Sequence, residues 1–112
     1  VPNGIKRKHD AMTSAMKAGV TICNGSDVGP YTHGDNLREL KLMHEYGLSI
    51  EKTMQAATMV GAELMNMKDT LGQVKPGFLA DLIAVDGNPL ENLDAISNLK
   101  MVMKDGKIYK SP

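Results

Sequence analysis

The hydrophobic pattern at the start of the chain changes from helical to strand-like within a few residues. Apolar side chains recur at roughly helical spacing after Pro2, which predicts a helix from about Ile5 to Ala18 that ends at Gly19. Residues 20–23 (VTIC) then form a β-rich run without polar alternation, which is typical of a strand covered on both faces, as in a parallel sheet. The sequence therefore predicts a helix that leads directly into a buried strand.

Two further helices are predicted before residue 68. Asn36 can cap the first, with Glu39 three residues later as the second half of a capping box, and Gly47 ends it. Ser49 can cap the second helix. The apolar side of the first is expected at Leu37, Leu40, Met43 and Tyr46, and that of the second at Ile50, Met54, Ala57, Gly61 and Leu64.

The rest of the chain is rich in turns and short strands. Turns are predicted at residues 75–78 (KPGF) and 86–89 (DGNP), with a strand between them at residues 82–85 (LIAV). Asp105-Gly106, flanked by apolar residues, is a strong hairpin signal. Asp81 is expected to hold the turn at Pro76-Gly77 through backbone hydrogen bonds. This change from predicted helices to turns and short strands divides the chain into residues 1–68 and 69–112.

The loop after the first predicted strand holds the best candidate for a functional residue. In α/β folds, the loops beyond the carboxyl ends of strands build the active site, and Asp27 lies in such a loop. An aspartate in a Gly-Ser loop also commonly caps a turn or a helix, so the local sequence leaves both roles open. His33 follows on the same loop and can either bind substrate or simply face the solvent.

Composition narrows the range of partners and locations. The 13 basic residues balance the 13 acidic ones, so we expect neither a nucleic acid nor an anionic membrane as a partner. A single cysteine, Cys23, cannot form an intramolecular disulfide, which favours a reducing compartment, and the cytoplasm is the expected location. No apolar run approaches the ~20 residues of a membrane span, and the first eight residues lack the apolar core of a signal peptide.

Four stretches of the sequence, taken in order, resemble one known family. Residues 17–29 (KAGVTICNGSDVG) are similar to a passage from the last barrel helix into a strand that ends at a metal-binding aspartate, here Asp27. Residues 56–64 (AATMVGAEL) resemble the helix after the barrel, and residues 71–82 (LGQVKPGFLADL) the passage into a small β-sandwich. Residues 102–109 (VMKDGKIY) resemble its terminal hairpin. The family is the metal-dependent amidohydrolase superfamily, in particular its imidazolonepropionase-like and Xaa-Pro dipeptidase-like members.

The resemblance implies an α/β fold. Residues 1–68 would be the C-terminal portion of a TIM (β/α)8 barrel, with the last barrel strand and its flanking helices. Residues 69–112 would form strands of the small composite β-sandwich. A complete barrel needs ~200 residues or more, so we expect the chain to be a C-terminal fragment of a longer enzyme.

The resemblance also implies hydrolysis of a C–N bond in an amide or dipeptide by metal-activated water. The stretch 29–36 (GPYTHGDN) points further to an Xaa-Pro dipeptide. Asp27 would be a metal ligand and the general acid/base, and His33 would bind substrate. The expected cofactor is a divalent metal, zinc, as one or two ions in the full-length parent. The family's H-x-H pair, lysine and two further histidines are not found in this chain, so the chain alone is expected to be inactive.

Two alternatives concern what the chain binds. Its partner is a small-molecule or dipeptide substrate if it belongs to an enzyme, whereas a non-catalytic scaffold or assembly module would retain only the family's C-terminal fold. A barrel strand without its neighbours exposes two ladder edges, so a homo-oligomer or self-association of the chain is expected. A strictly monomeric sedimentation profile at micromolar concentration would contradict that expectation.

Overall fold

The computed structural model describes residues 2–29 and 32–111. This part of the chain forms helices in its first half and a small antiparallel sheet in its second half. The helices are α1 (Asn3–Lys17), α2 (Leu37–Glu45), α3 (Ile50–Ala57) and α4 (Met59–Leu64), and the strands are β1 (Leu82–Val85), β2 (Leu99–Lys104) and β3 (Lys107–Lys110), with a 3₁₀ helix at Leu93–Ser97. Pro30 and Tyr31, in the stretch that points to a dipeptidase, lie outside the described residues. Among the helices described, none has the length and apolarity of a membrane crossing.

Three of the helices end with the same backbone motif. Gly19 closes α1 with φ 74°, Gly47 closes α2 with φ 107°, and Asn66 closes α4 with φ 57°. In each case this residue donates its N–H to the carbonyl three positions earlier, and the next residue donates to the carbonyl five positions before itself. This is the Schellman arrangement, which needs a residue that tolerates positive φ. The predicted helix ends at Gly19 and Gly47 are confirmed.

The single helix predicted after Ser49 is divided in two. Ser49 does cap α3, because its hydroxyl accepts the Lys52 N–H at 3.2 Å. The helix then stops at Thr58, which takes φ −127° and ψ −93°. The Thr58 hydroxyl donates to the Met54 carbonyl at 2.8 Å, so this side chain provides a hydrogen bond to a carbonyl group in the last turn of α3. The chain becomes helical again as α4 at Met59.

The predicted apolar stripe of this helix is wrong at Ala57 and Leu64, which are exposed, whereas its other members, Ile50, Met54 and Gly61, are half-buried. The fully buried residues of α3 and α4 are Thr53, Ala56 and Ala62. Burial in α3 is therefore centred one residue earlier than predicted, and this shift begins before the break at Thr58. The side of α3 that is buried is also the side against which residues 23–24 lie.

The predicted strand at residues 20–23 has no pairing partner among the described residues, where residues 20–28 contain no strand. A strand requires backbone pairing with a neighbour, whereas two N–H groups of this segment donate to helices: Val20 to the Ala15 carbonyl at 3.0 Å and Asn24 to the Ala56 carbonyl at 3.1 Å. Pairing of residues 20–23 with strands outside this chain stays a prediction. Ile22 packs against the hydrophobic core, so part of the run is covered as its composition predicts.

The three strands form a sheet in the order β1-β2-β3, antiparallel throughout. The strand at residues 82–85 and the hairpin at Asp105-Gly106 are confirmed, and φ values of 47° and 75° identify the turn as type I′. Asp81 does not hold the Pro76-Gly77 turn as predicted. Pairing of β1 with β2 brings it to the hairpin, where its carboxylate accepts the Asp105 N–H at 2.8 Å and a hydrogen bond from the Lys104 ammonium.

The hydrophobic core lies among the first three helices. Its buried members are Leu40, Met43, Leu48 and Ala56, with Met12, Met16, Ile22, Leu37 and Ile96 packed around them. The predicted apolar side of α2 is thereby confirmed. Ile96 comes from the 3₁₀ helix, and Lys41 of α2 forms an ion pair with Asp94 there, so the second half of the chain contacts the first. The division at residue 68 stays a prediction.

Candidate active site

Asp27 lies in the loop that leaves the segment 20–23. Its side chain is exposed, and its φ of 46° is in the left-handed region, which few non-glycine residues adopt. Aspartate tolerates this conformation better than most residues, because its short side chain can interact locally. Unusual backbone geometry at an exposed carboxylate is frequent at functional sites, and it persists only where the surroundings hold it.

The loop is held on its N-terminal side by Asn24. The backbone N–H of Asn24 donates to the Ala56 carbonyl of α3 at 3.1 Å, and its side-chain amide lies 3.6 Å from the Met43 sulfur of α2. The Cys23 thiol lies 3.6 Å from the same Ala56 carbonyl. Ala56 and Met43 are both buried core residues, so the start of the loop is fixed to the core.

A second contact holds the loop one residue before Asp27. The side-chain amide of Asn36 donates to the Ser26 hydroxyl at 2.8 Å, across ten positions of the sequence. The capping box predicted for Asn36 and Glu39 is therefore wrong. Asn36 already has helical dihedrals, φ −62° and ψ −28°, whereas a capping asparagine has an extended backbone that points its side chain at the helix N–H groups.

His33 occupies a turn on the same loop, and its side chain is exposed. Asp35 donates its N–H to the Thr32 carbonyl at 3.3 Å, and Gly34 takes φ 97° within this turn. Within residues 2–29 and 32–111, no hydrogen bond or ion pair joins Asp27 to His33. The roles of both residues stay predictions.

The other two histidines take structural positions. His44 forms a 2.7 Å hydrogen bond with the Leu48 carbonyl, and because a carbonyl only accepts, Nδ1 of His44 is the donor. His9 of α1 contacts the ring of Tyr46 edge to face, with 5.3 Å between ring centroids. The first contact closes the C-terminal end of α2, and the second joins α1 to that same end, so neither involves the loop of Asp27.

The ion pair with shifted pKa values, Asp81 and Lys104, does not belong to the loop of Asp27. The hydrogen bond from Lys104 lowers the pKa of Asp81, and the same bond raises the pKa of Lys104. Both residues belong to the β-sheet end of the chain, where Asp81 holds the hairpin turn. We interpret this pair as structural.

The loop can supply one ligand to a metal ion. A catalytic zinc site ordinarily has three protein ligands, and no group of three histidine, cysteine, aspartate or glutamate side chains converges among the described residues. Asp27 is an exposed oxygen donor and fits as a single ligand. A complete metal centre at this position therefore requires donors from outside the described part of the chain.

A cleft of about 450 Å³ lies beside residues 19–22, at the start of the segment that leads to Asp27. Residues 19–22 form one side of it, and Gly47, Leu48, Ser49 and Lys52 form part of the other. Asp27 and His33 do not line this cleft. The cleft therefore gives no support to a substrate site at the loop of Asp27.

Comparison with protein families and curated proteins identifies relatives over almost the whole chain. The profile described as "Amidohydrolase family" matches residues 2–109. An ochratoxinase of Aspergillus niger is 36% identical over 107 residues, which cover 91% of this chain and 22% of that protein.

Solved structures agree with this result. A Xaa-Pro dipeptidase with methionine bound in its active site is similar with a TM-score of 0.88 and 42% identity, over 92% of this chain and 25% of that one. A prolidase in complex with N-methylphosphonate-L-proline is similar with a TM-score of 0.85 and 30% identity, over 93% of this chain and 26% of that one. The chain thus spans about a quarter of the length of these relatives.

Proposed function

The chain belongs to the amidohydrolase family, and from this premise we propose that it carries one catalytic carboxylate, Asp27, of a metal-dependent hydrolase that acts on C–N bonds. The observation that carries the proposal is the geometry of the loop of Asp27. Asp27 is exposed and has a left-handed backbone conformation, and the loop before it is held by two hydrogen bonds, from Asn24 to Ala56 and from Asn36 to Ser26. We further propose that the remaining metal ligands lie outside this chain, in the rest of the whole protein.

The same segment supports a proposal about the fold. Residues 20–23 follow a helix, are rich in β-forming residues, and run into the loop that bears Asp27. We propose that they pair in the whole protein as the last strand of a (β/α)8 barrel, whose active site is built at the carboxyl ends of its strands. The strands β1 to β3 would then belong to a small β-sandwich beside the barrel. The amide exchange of residues 20–23 tests this pairing, because paired N–H groups would be protected in the whole protein and unpaired ones would not.

Asp27 can perform two tasks in such a site. A divalent cation, for which we propose zinc, would supply the Lewis acidity that activates water near neutral pH. The Asp27 carboxylate would be one of its ligands, accept the proton of the attacking water, and return it to the leaving amine. No hydrogen bond or ion pair to another described residue engages this carboxylate, which leaves its oxygens available for both tasks. His33, exposed on the same loop, is the proposed contact for the substrate.

A prolyl dipeptide is the substrate we propose to test first. Two of the similar structures are a Xaa-Pro dipeptidase and a prolidase that holds a phosphonate derivative of proline. Both align with this chain over more than nine tenths of its length.

Replacement of Asp27 by asparagine in the whole protein tests the proposal. Asparagine also tolerates positive φ, so Asp27→Asn removes the charge and largely preserves the backbone. We expect turnover of Xaa-Pro dipeptides to fall by about 10²- to 10⁴-fold, the usual contribution of a general acid/base. Asp35→Asn, an exposed aspartate of the same loop, is the matched control and should retain activity. Undiminished turnover by Asp27→Asn would remove this residue from the mechanism, and no hydrolysis by the unmodified protein would favour the scaffold alternative.

A further inference from the structure

The position of Asp27 depends on contacts made by its neighbours. Its positive φ is unfavourable for a residue with a Cβ atom, so the loop needs other interactions to keep the chain in this conformation. The anchor at Asn24 lies three residues before Asp27, and it fixes the loop only on that side. The hydrogen bond between Asn36 and Ser26 acts on the residue directly before Asp27.

Asn36 is itself tied to the core. It immediately precedes α2, and Leu40 and Met43 of that helix are buried core residues. The hydrogen bond across ten positions therefore transmits the position of a packed helix to an exposed loop. It also links the residue before Asp27 to the residue before α2, which reduces the conformations that Asp27 can adopt.

We propose that Asn36 is a positioning residue for Asp27, because its side-chain amide holds Ser26 and thereby fixes the direction of the neighbouring carboxylate. The inference rests on the proposed function for its effect on catalysis. Its structural part, the restraint of residues 24–29 by Asn36, can be measured without any metal or substrate.

The experiment compares four single variants and one double variant in the whole protein. Asn36→Ala removes the donor, and Ser26→Ala removes the acceptor. Asn36→Asp restores a hydrogen bond with the direction reversed, since the Ser26 hydroxyl can donate to a carboxylate. Asn3→Ala, at the exposed start of α1, is the matched control for loss of an asparagine side chain.

The first readout is the backbone order parameter of residues 24–29 in metal-free protein, measured by NMR relaxation, which is about 0.85 for a rigid backbone and below about 0.6 for a flexible one. We expect Asn36→Ala to lower the order parameters over this stretch, while Asn3→Ala and Asn36→Asp remain close to the unmodified protein. The second readout is steady-state kinetics. Residues that orient a ligand typically contribute 10- to 100-fold, so kcat should fall by about that factor in Asn36→Ala with a smaller change in KM, and Asn36→Asp should recover most of it.

The double variant separates a shared contact from two independent effects. If Asn36 acts through Ser26, the variant with both alanines should be no slower than Ser26→Ala alone. Unchanged order parameters at residues 24–29 in Asn36→Ala, or a double variant whose loss is the product of the two single losses, would overturn the inference. If Asp27→Asn keeps its turnover, the proposed function fails, while the order parameters still decide whether Asn36 restrains the loop.

Discussion

Gly72 connects the helical half of the chain to the turn before the sheet, and its replacement by alanine should destabilise the protein strongly. Its φ is 90°, a conformation that residues with a Cβ atom rarely adopt. A Cβ atom built there would lie 2.8 Å from the Ala62 Cβ, 3.0 Å from the Thr58 carbonyl oxygen and 3.1 Å from the Met59 Cα. Two of these three contacts are with backbone atoms, which cannot move aside as a flexible side chain can.

The magnitude follows from two separate costs. Forcing a residue other than glycine into the left-handed region costs about 1–2 kcal/mol. Inserting a methyl group into a packed site costs a further amount of about 1–3 kcal/mol. We therefore expect Gly72→Ala to lower the free energy of unfolding by about 2–5 kcal/mol.

Gly77 provides a matched control for the two costs. Its φ is 87°, close to that of Gly72, but a Cβ atom there would meet no heavy atom within 4 Å. Gly77→Ala should therefore lower the free energy of unfolding by only about 1–2 kcal/mol. Urea denaturation of both variants gives the comparison, provided that the m-values are unchanged. Equal losses for the two variants would refute the close packing of residue 72 against the α3–α4 junction.

Two further predictions concern stability. Thr53 is fully buried, and among the described residues its hydroxyl has no hydrogen-bond partner. Thr53→Val should therefore raise the free energy of unfolding by about 1 kcal/mol in urea denaturation. A lower free energy of unfolding in this variant would contradict the reasoning. The lowered pKa of Asp81 means that its pairing with Lys104 stabilises the fold fully above the ordinary value of 3.8, and this is lost as pH falls through the lowered pKa. The raised pKa of Lys104 sets the opposite limit, where stabilisation is lost as pH rises beyond 10.5. The gap in thermal midpoint between the unmodified protein and Asp81→Asn should thus be constant near neutral pH and narrow below 3.8; a gap that widens on acidification would argue against it.

Features that depend on a few neighbouring residues could be predicted from the sequence. The ends of α1 and α2 follow from single glycines that adopt positive φ, and the Ser49 cap from one hydroxyl before a helix. The hairpin follows from Asp105-Gly106, a pair that tolerates the positive φ values of a type I′ turn. In each case the energetic preference is local, so the rest of the fold does not change it.

Features that depend on partners distant in sequence could not be predicted in the same way. Asn36 has a residue type suited to capping, but Ser26 lies within its reach and its backbone is already helical. Asp81 is opposite Lys104 only once β1 and β2 have paired. The break at Thr58 has no glycine or proline to indicate it.

The candidate site was predictable in part. The position of Asp27 after a β-rich run and within a glycine-rich loop identified it as a candidate, and the resemblance to a family gave it a role. The contacts by which Asn24 and Asn36 hold the loop were missed, because their partners, Ala56 and Ser26, are distant from them in sequence. A side-chain contact across ten positions leaves no periodic pattern in a single sequence.

Asp27 is proposed as a ligand in a metal centre that residues outside this chain complete. The zinc content of the whole protein tests this ligand directly, measured by elemental mass spectrometry after equal exposure to zinc and dialysis. We expect a lower ratio of zinc to protein in Asp27→Asn than in the unmodified protein, with Asp35→Asn unchanged. Equal ratios in Asp27→Asn and the unmodified protein would contradict it.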